Sequence, residues 1–209
     1  MSTLLKLDSS PMGDHSISRK LTAKFTDSWR KSHPGATVLT RDLTALNLPI
    51  VDASWIAAAY QPEESRTPDQ QKALAVSDSL IADLQQADEY VFGIPMHNFS
   101  VPSTLKLWID QVVRRGKTFA YTAARGPEGL LTDKKATLLI ASGGVYEQGT
   151  AMASFNFVAP YLRTIFAFLG VTDLNIIAAE GTAQLMTGKV DPVAFLAPSL
   201  EKVHIQASL

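Results

Sequence analysis

The chain contains no cysteine in its 209 residues. This absence excludes disulfides, thiolate metal sites and cysteine nucleophiles, and it is compatible with a reducing compartment. Histidine is also scarce, because only His15, His33, His97 and His204 occur. They show neither metal-ligand spacing nor an H-E-x-x-H motif, so the sequence predicts no metal site.

Further absences exclude several classes of partner. The chain has neither G-x-G-x-x-G nor G-x-x-x-x-G-K-[ST], which argues against a dinucleotide fingerprint and a nucleoside-triphosphate loop. The net charge of −1 gives no footprint for nucleic acid. No apolar stretch approaches membrane-spanning length, and the apolar run at the N-terminus is too short for a signal peptide. We therefore expect a cytoplasmic, soluble protein without membrane or nucleic-acid partners.

Strand-like and helix-like segments alternate along the whole chain. Apolar runs near 4–7, 36–40, 90–94, 135–141 and 171–179 predict five strands, and amphipathic helices fill the intervals. Such alternation favours a parallel sheet covered on both faces. Residues 118–131, around Arg125-Gly-Pro-Glu-Gly129, predict a small hairpin insertion. We predict a single α/β domain over residues 1–209, a flavodoxin-like three-layer α/β/α fold with strand order 2-1-3-4-5.

One stretch, residues 93–110, stands at the centre of this pattern. The predicted third strand runs into Pro95, and a second proline, Pro102, precedes Ser103, which we expect to cap the next helix. Backbone groups, an amide and aromatic surface in the intervening loop suit a flat heteroaromatic ligand. That loop is formed by Met96, His97, Asn98 and Phe99. Taken singly, Met96 and Phe99 are better explained as core residues than as ligand contacts.

Two other loops should meet this one at the carboxyl edge of the sheet. Ser9, Ser10, Ser16 and Ser18 offer hydroxyls beside a helix N-terminus, which suits a monophosphate, although a polar turn with an N-cap is the alternative. The turn after the fourth strand, Ala141-Ser142-Gly143-Gly144, lets backbone approach a ligand closely, or it is simply a tight turn. His97 is the one candidate for a catalytic proton donor, and a structural or surface role is the alternative.

Several of these segments together carry a resemblance to a known family. The segments are Ser9-Ser10 with Ser16-Ile17-Ser18, residues 95–106, Gly126-Pro-Glu-Gly-Leu130, Ser142-Gly-Gly144 and Ala179-Glu-Gly181. With them the chain resembles the FMN-dependent NADH-azoreductases, also described as NAD(P)H:quinone oxidoreductases, over nearly its full length. The family usually has tyrosine at the position of His97 and Ser-Arg-Gly-Gly where this chain has Ala141-Ser-Gly-Gly.

The resemblance implies one FMN per subunit, NADH or NADPH as co-substrate, and a homodimer with its two active sites at the subunit interface. It assigns the FMN phosphate to Ser10 and Ser16–Ser18 with Ser9 beside them, the isoalloxazine ring to Pro95–Phe99, and the polar edge of that ring to Ala141–Gly144. Phe99, Tyr121 and Tyr146 are the expected substrate contacts.

The implied reaction is ping-pong hydride transfer from the nicotinamide through FMN to quinones and azo compounds, the latter by reductive cleavage. Three alternatives share the fold. A flavodoxin-type electron carrier is disfavoured by the near-neutral charge, and a phospho-receiver domain by the absence of acidic partners for Asp8. A cofactor-free regulatory protein is the third.

Overall fold

The computed structural model describes residues 2–122 and 126–209. The strands are β1 Thr3–Asp8, β2 Thr37–Asp42, β3 Glu89–Pro95, β4 Phe119–Thr122, β5 Gly126–Gly129, β6 Lys135–Ala141 and β7 Asp173–Ala179. The helices are α1 Ile17–Ser32, α2 Ala53–Tyr60, α3 Pro68–Gln86, α4 Ser103–Val112, α5 Val158–Leu169 and α6 Pro192–Gln206, and short 3₁₀ turns lie between some of them.

Five strands form one parallel sheet in the order β2-β1-β3-β6-β7. This confirms the predicted order, because β6 and β7 are the fourth and fifth strands of the sheet in chain order. The chain reverses its direction of travel between β1 and β3, and open parallel sheets bind ligands at the carboxyl ends of the strands at such a point.

The sheet buries a separate apolar cluster on each face. On one face Leu4, Val91 and Leu139 pack against α1 and α6. On the other face the alternate strand residues, including Phe92 and Leu138, pack against α3, α4 and α5. Since successive strand residues point to opposite faces, helices on both sides are needed to cover these apolar strands. The three-layer prediction is thereby confirmed.

The hairpin insertion is also present, with β4 antiparallel to β5. The segment Gly126–Gly129, around which the hairpin was expected to turn, is itself the second strand. The predicted turn residue Arg125 lies outside the described residues. The capping box at the start of α3 forms as its sequence predicts, with Thr67 and Gln70 exchanging side-chain-to-backbone hydrogen bonds.

The expected cap at Ser103 was wrong. Ser103 is the first residue of α4 and makes no capping hydrogen bond, because Pro102 occupies the cap position. Phe155 lies in a separate 3₁₀ turn before α5, which begins at Val158. Across residues 2–122 and 126–209, no helix is long and apolar enough to cross a membrane.

Candidate functional site

A cavity of about 590 Å³ opens at the carboxyl edge of the sheet, between the ends of β1, β3 and β6. Nine of the predicted cofactor residues line it, namely Ser10, Ser16, Ile17, Ser18, Pro95, Met96, His97, Ala141 and Gly143. The topology thus brings residues from three distant loops around one space of a size typical for a cofactor site.

The serine corner, defined here by Ser10, Ser16 and Ser18, forms one end of this cavity and is deeply buried. Ser16 caps α1 by accepting a hydrogen bond from the amide of Arg19 at 3.2 Å, and its hydroxyl lies 3.1 Å from that of Ser18. The first two amides of α1, those of Ile17 and Ser18, have no acceptor among the described residues. These free donors at a helix N-terminus make the corner suited to an anion.

The close approach of α1 to β3 at this corner depends on Gly93. A Cβ at this position would lie 2.6 Å from Asp8 Oδ1 and 3.1 Å from the carbonyl oxygen of Ser18. Asp8 is itself buried and accepts a 2.7 Å hydrogen bond from the hydroxyl of Thr22 on α1. The glycine therefore sets how deeply the first turn of α1 sits against the sheet.

The carbonyls of the glycine turn, residues Ala141–Gly144, are already bound to other backbone amides. The carbonyl of Ser142 accepts from the Thr182 amide and that of Gly143 from the Ala183 amide, while Gly144 binds the Gly181 amide at 2.9 Å. The amides of Gly143 and Gly144 have no acceptor among the described residues. They remain free to donate to a polar ligand edge.

The loop after β3 has an uncommon backbone conformation. The residues His97 and Ser100 exchange two backbone hydrogen bonds of 3.0 Å, which fixes the ends of a tight turn. Between them Asn98 and Phe99 have φ of 49° and 69°. Asparagine tolerates this left-handed region, whereas for phenylalanine it is strained. The strained residues therefore lie beside the cavity, and Phe99 is 39% exposed.

Aromatic rings cluster next to this turn. The centroid of Phe99 lies 5.4 Å from that of Phe155 and 6.3 Å from that of Tyr146. Tyr146 is held in place through its amide, which donates to Glu180 at 2.9 Å. Tyr121, the third predicted substrate contact, lies on β4, is 59% exposed and does not line the cavity.

Five predicted cofactor residues lie outside the cavity lining: Ser9, Asn98, Phe99, Ser142 and Gly144. Ser9 is fully buried, and its hydroxyl donates to the carbonyl of Gly93 at 2.9 Å. The Ser142 hydroxyl likewise donates to the carbonyl of Gly144 at 3.0 Å. These two hydroxyls are used to hold the loops in shape, which differs from the ligand contacts expected of them.

Other residues line the cavity without having been predicted from the sequence. They are Met12, His15, Lys20, Thr182, Ala183, Leu185, Met186, Pro192 and Leu196. The first three could have been found, since they lie in or next to the serine loop. The others come from the segment after β7 and from α6, and no motif in the sequence marks them.

Arg19 and Asp42 form an ion pair of 2.8 Å near the serine corner. The hydrogen bond with Asp42 raises the pKa of Arg19 despite partial burial. Burial works against ionisation of Asp42, but hydrogen bonds from Arg19 and Thr44 outweigh it and lower the pKa of this carboxyl. Among the described residues, no group of three or more His, Asp or Glu side chains is arranged to hold a metal ion.

Comparison with known proteins agrees with this geometry. The model of a family described as "Flavodoxin-like fold" matches residues 2–194. An FMN-dependent NADH:quinone oxidoreductase from Acidobacterium capsulatum is 51% identical over 208 residues, which cover 100% of both chains. The chain belongs to this flavodoxin-like oxidoreductase family. The resemblance drawn from the sequence motifs is thereby confirmed.

Solved structures of family members superpose closely on this chain. An azoreductase from Bacillus anthracis has a TM-score of 0.89 at 32% identity, covering 100% of this chain and 99% of the other. An FMN-dependent NADH-azoreductase from the same species, solved in complex with FMN, has a TM-score of 0.87 at 28% identity, covering 100% and 98%.

The residues present fit FMN. At one end of the cavity, the free amides of Ile17 and Ser18 and the buried hydroxyls of the serine corner supply donors for a phosphate. At the other end, the free amides of the glycine turn and the apolar surface of Met96 suit the polar edge and the face of a flat ring. No lining position places an Asp or Glu carboxylate toward the anion site.

Proposed function

We propose that this protein is an FMN-dependent oxidoreductase that takes hydride from NADH and reduces quinones and azo compounds. The observation that carries the proposal is the set of unpaired amides around one cavity. Donors of two kinds, at a helix N-terminus and at a glycine turn, face the same space at its two ends. Its relatives carry the names FMN-dependent NADH:quinone oxidoreductase and azoreductase.

Each part of the cavity has a distinct task in this proposal. The serine corner holds the phosphate through the amides of Ile17 and Ser18 and the hydroxyls of Ser10 and Ser16. Pro95, Met96 and His97 line the ring, and the amides of the glycine turn donate to its polar edge. When bound, FMN supplies the acceptance and delivery of hydride, and the protein supplies orientation and a shielded setting.

The proposal includes a ping-pong mechanism, in which the electron donor and the electron acceptor use the same place in turn and NAD⁺ leaves before the acceptor binds. The aromatic cluster of Phe99, Tyr146 and Phe155 borders that place and offers stacking surface for flat acceptors. His97 is exposed and lines the cavity, and in this proposal it donates a proton to the acceptor.

The proposal includes a homodimer. Exposed aromatic and apolar side chains support it, since Phe155 is 42%, Phe157 56%, Tyr121 59% and Leu130 44% exposed in the single chain. Aromatic residues are enriched at interfaces, and a partner subunit would cover these side chains. Light scattering after size exclusion should give twice the mass of 22.6 kDa. A monomer with full turnover would contradict this part of the proposal.

A spectroscopic titration tests the proposed function. Purified protein is loaded with FMN, passed over a desalting column, and mixed with NADH without oxygen. We expect retained yellow flavin that NADH bleaches, followed by recovery on adding benzoquinone or an azo dye. Flavin that stays yellow with NADH would favour the electron-carrier alternative. Protein that retains no flavin would contradict the cavity assignment.

The kinetics test the ping-pong proposal separately. Initial rates are measured at several concentrations of NADH and of quinone. Parallel lines in double-reciprocal plots are expected, and intersecting lines would show that both substrates bind together. The variant His97→Phe should retain FMN, because the loop is held by the backbone of residue 97. A rate equal to wild type at every pH would remove His97 from the reaction.

A further inference from the structure

Arg19 makes an unusual set of contacts behind the serine corner. Its Nε and Nη2 atoms both donate to the carbonyl oxygen of Ser10, at 2.9 and 2.7 Å. Its backbone amide donates to the hydroxyl of Ser16 at 3.2 Å. Ser10 and Ser16 line the cavity, whereas Arg19 does not. One residue therefore holds both serines through different atoms.

The Ser10 carbonyl, which Arg19 binds, lies at the corner that is proposed to hold an anion. The residue after Ser10 is Pro11, which has no N–H, so this peptide offers an acceptor and no donor. An unpaired carbonyl at this corner would repel an anion and would be free to turn toward it. The guanidinium neutralises this acceptor with two hydrogen bonds. Among residues 2–122 and 126–209, the hydroxyl of Ser10 accepts a single long bond of 3.4 Å, from the Met12 amide, and its own hydrogen has no acceptor.

Other contacts fix the guanidinium itself. Its Nη2 donates to Asp42 Oδ1 at 2.8 Å, and its Nη1 lies 4.0 Å from Asp8 Oδ2. The side chain is only 20% exposed. Arg19 is thus anchored to the ends of β1 and β2, with its charge shared between two carboxylates. A cation balanced in this way acts on the loop and not as a free counter-ion for a ligand.

We propose that Arg19 is a positioning residue, whose guanidinium holds the Ser10 carbonyl and so keeps Ser10 in the geometry that binds a phosphate. The inference rests on the proposed function, because the phosphate is that of FMN. It assigns to Arg19 a selective effect: the residue contributes to binding of the phosphate and contributes nothing to binding of the flavin ring.

Riboflavin separates these two contributions, because it has the ring and lacks the phosphate. The dissociation constants of FMN and riboflavin are measured with flavin-free protein by quenching of flavin fluorescence. For Arg19→Gln we expect weaker FMN binding, by on the order of tenfold or more, since a charge-assisted fork is lost. Riboflavin binding should change by less than about twofold. Arg19→Lys should fall between, because an ammonium cannot form the planar fork.

Arg41→Gln is a matched control. Arg41 is the neighbouring arginine on β2 and forms a similar two-pronged contact, with Asp83, at 2.6 and 3.0 Å. It does not line the cavity. We expect it to leave both dissociation constants unchanged. Hydrogen exchange of the flavin-free protein gives a second readout: amides of residues 9–20 should exchange faster in Arg19→Gln and at the wild-type rate in Arg41→Gln.

The outcomes separate the two proposals. Equal weakening of FMN and riboflavin, or unchanged binding of both, would overturn the positioning role and leave the proposed function intact. Unchanged exchange over residues 9–20 would also overturn it. Wild-type protein that binds neither flavin would overturn the proposed function, and the positioning role with it.

Discussion

The serine corner of the cavity and the turn at Asn98 and Phe99 differ in how they are held together. At the serine corner, Ser10, Ser16 and Ser18 are 1%, 5% and 1% exposed, and their surroundings are cross-linked by side-chain hydrogen bonds. The turn at Asn98 and Phe99, which lies outside the cavity lining, is exposed and strained, and its aromatic neighbours touch it mainly through ring contacts.

The comparison indicates that one region is suited to the phosphate and the other to the electron acceptors. A phosphate is the same in every catalytic cycle, so a rigid corner on the end of a helix can be shaped for it permanently. Electron acceptors differ in size and outline, and loops with exposed rings can admit several of them. Substitutions at the serine corner should therefore change cofactor retention and fold stability. Substitutions at the turn of Asn98 and Phe99 should change acceptor preference.

The largest effect should come from Gly93→Ala, which adds a methyl group where Asp8 Oδ1 is 2.6 Å and Thr22 Cγ2 is 2.9 Å away. Either α1 must move or a buried carboxylate must turn, so we expect a loss of about 1–3 kcal/mol in the free energy of unfolding. FMN retention should fall as well. Urea denaturation measures the first effect and a fluorescence titration the second.

Gly143→Ala provides the control for stability. A Cβ at Gly143 would meet only the Cβ of Ala183, at an ordinary 3.7 Å. Its unfolding free energy should stay within about 0.5 kcal/mol of wild type. Equal losses of stability in Gly93→Ala and Gly143→Ala would refute the claim that the serine corner is more tightly packed than the glycine turn.

A smaller effect is expected for Ser16→Ala, which removes the N-cap of α1. Loss of a cap costs about 1 kcal/mol of stability. Asp52→Ala removes a comparable cap from α2, where Oδ1 accepts from the Trp55 amide at 2.8 Å, away from the cavity. Both variants should lose similar stability in urea, while only Ser16→Ala should weaken FMN binding. Weakened FMN binding in Asp52→Ala would show that a general loss of stability accounts for both.

In the turn after β3, Phe99→Gly should alter acceptor kinetics with little effect on folding. Glycine accepts the left-handed backbone without strain, which offsets the lost ring contacts. Loss of stacking should raise KM for aromatic acceptors by about two- to tenfold. Ile205→Ala, at an exposed site on α6, should leave KM at the wild-type value. Steady-state rates with benzoquinone and an azo dye measure this, and an unchanged KM for both would remove Phe99 from the acceptor place.

The smallest effect should lie at the opposite edge of the sheet, where Glu89 accepts a 2.8 Å hydrogen bond from Trp29 Nε1. Burial raises the pKa of Glu89 above its ordinary 4.5. In the window between 4.5 and the raised pKa, the folded protein binds more protons than the unfolded chain, so stability falls as pH rises.

Glu89→Gln keeps an acceptor for the indole and removes this titration. We expect wild type to lose stability relative to Glu89→Gln as pH rises through that window. Chemical denaturation at several pH values checks this, with Glu201→Gln on the exposed side of α6 as the control. A constant difference between wild type and Glu89→Gln across the window would contradict the prediction.

The sequence by itself determined the layered fold, the strand order and the three loops around the cavity. Alternation of apolar runs with amphipathic segments allows few arrangements other than a parallel sheet covered on both faces, and such a sheet gathers its loops at one edge. Serines before a helix and glycines after a strand were sufficient to mark two of those loops.

Only the tertiary structure decided which groups in those loops are free. Ser9 and Ser142 have the same hydroxyl as Ser10, yet theirs are used on nearby carbonyls. The role of Arg19 depends on Asp42 and Asp8, which are distant in sequence and close only because β1 and β2 are neighbours. Hydrogen-bond partners are assigned by three-dimensional proximity, and a local sequence pattern does not contain that information.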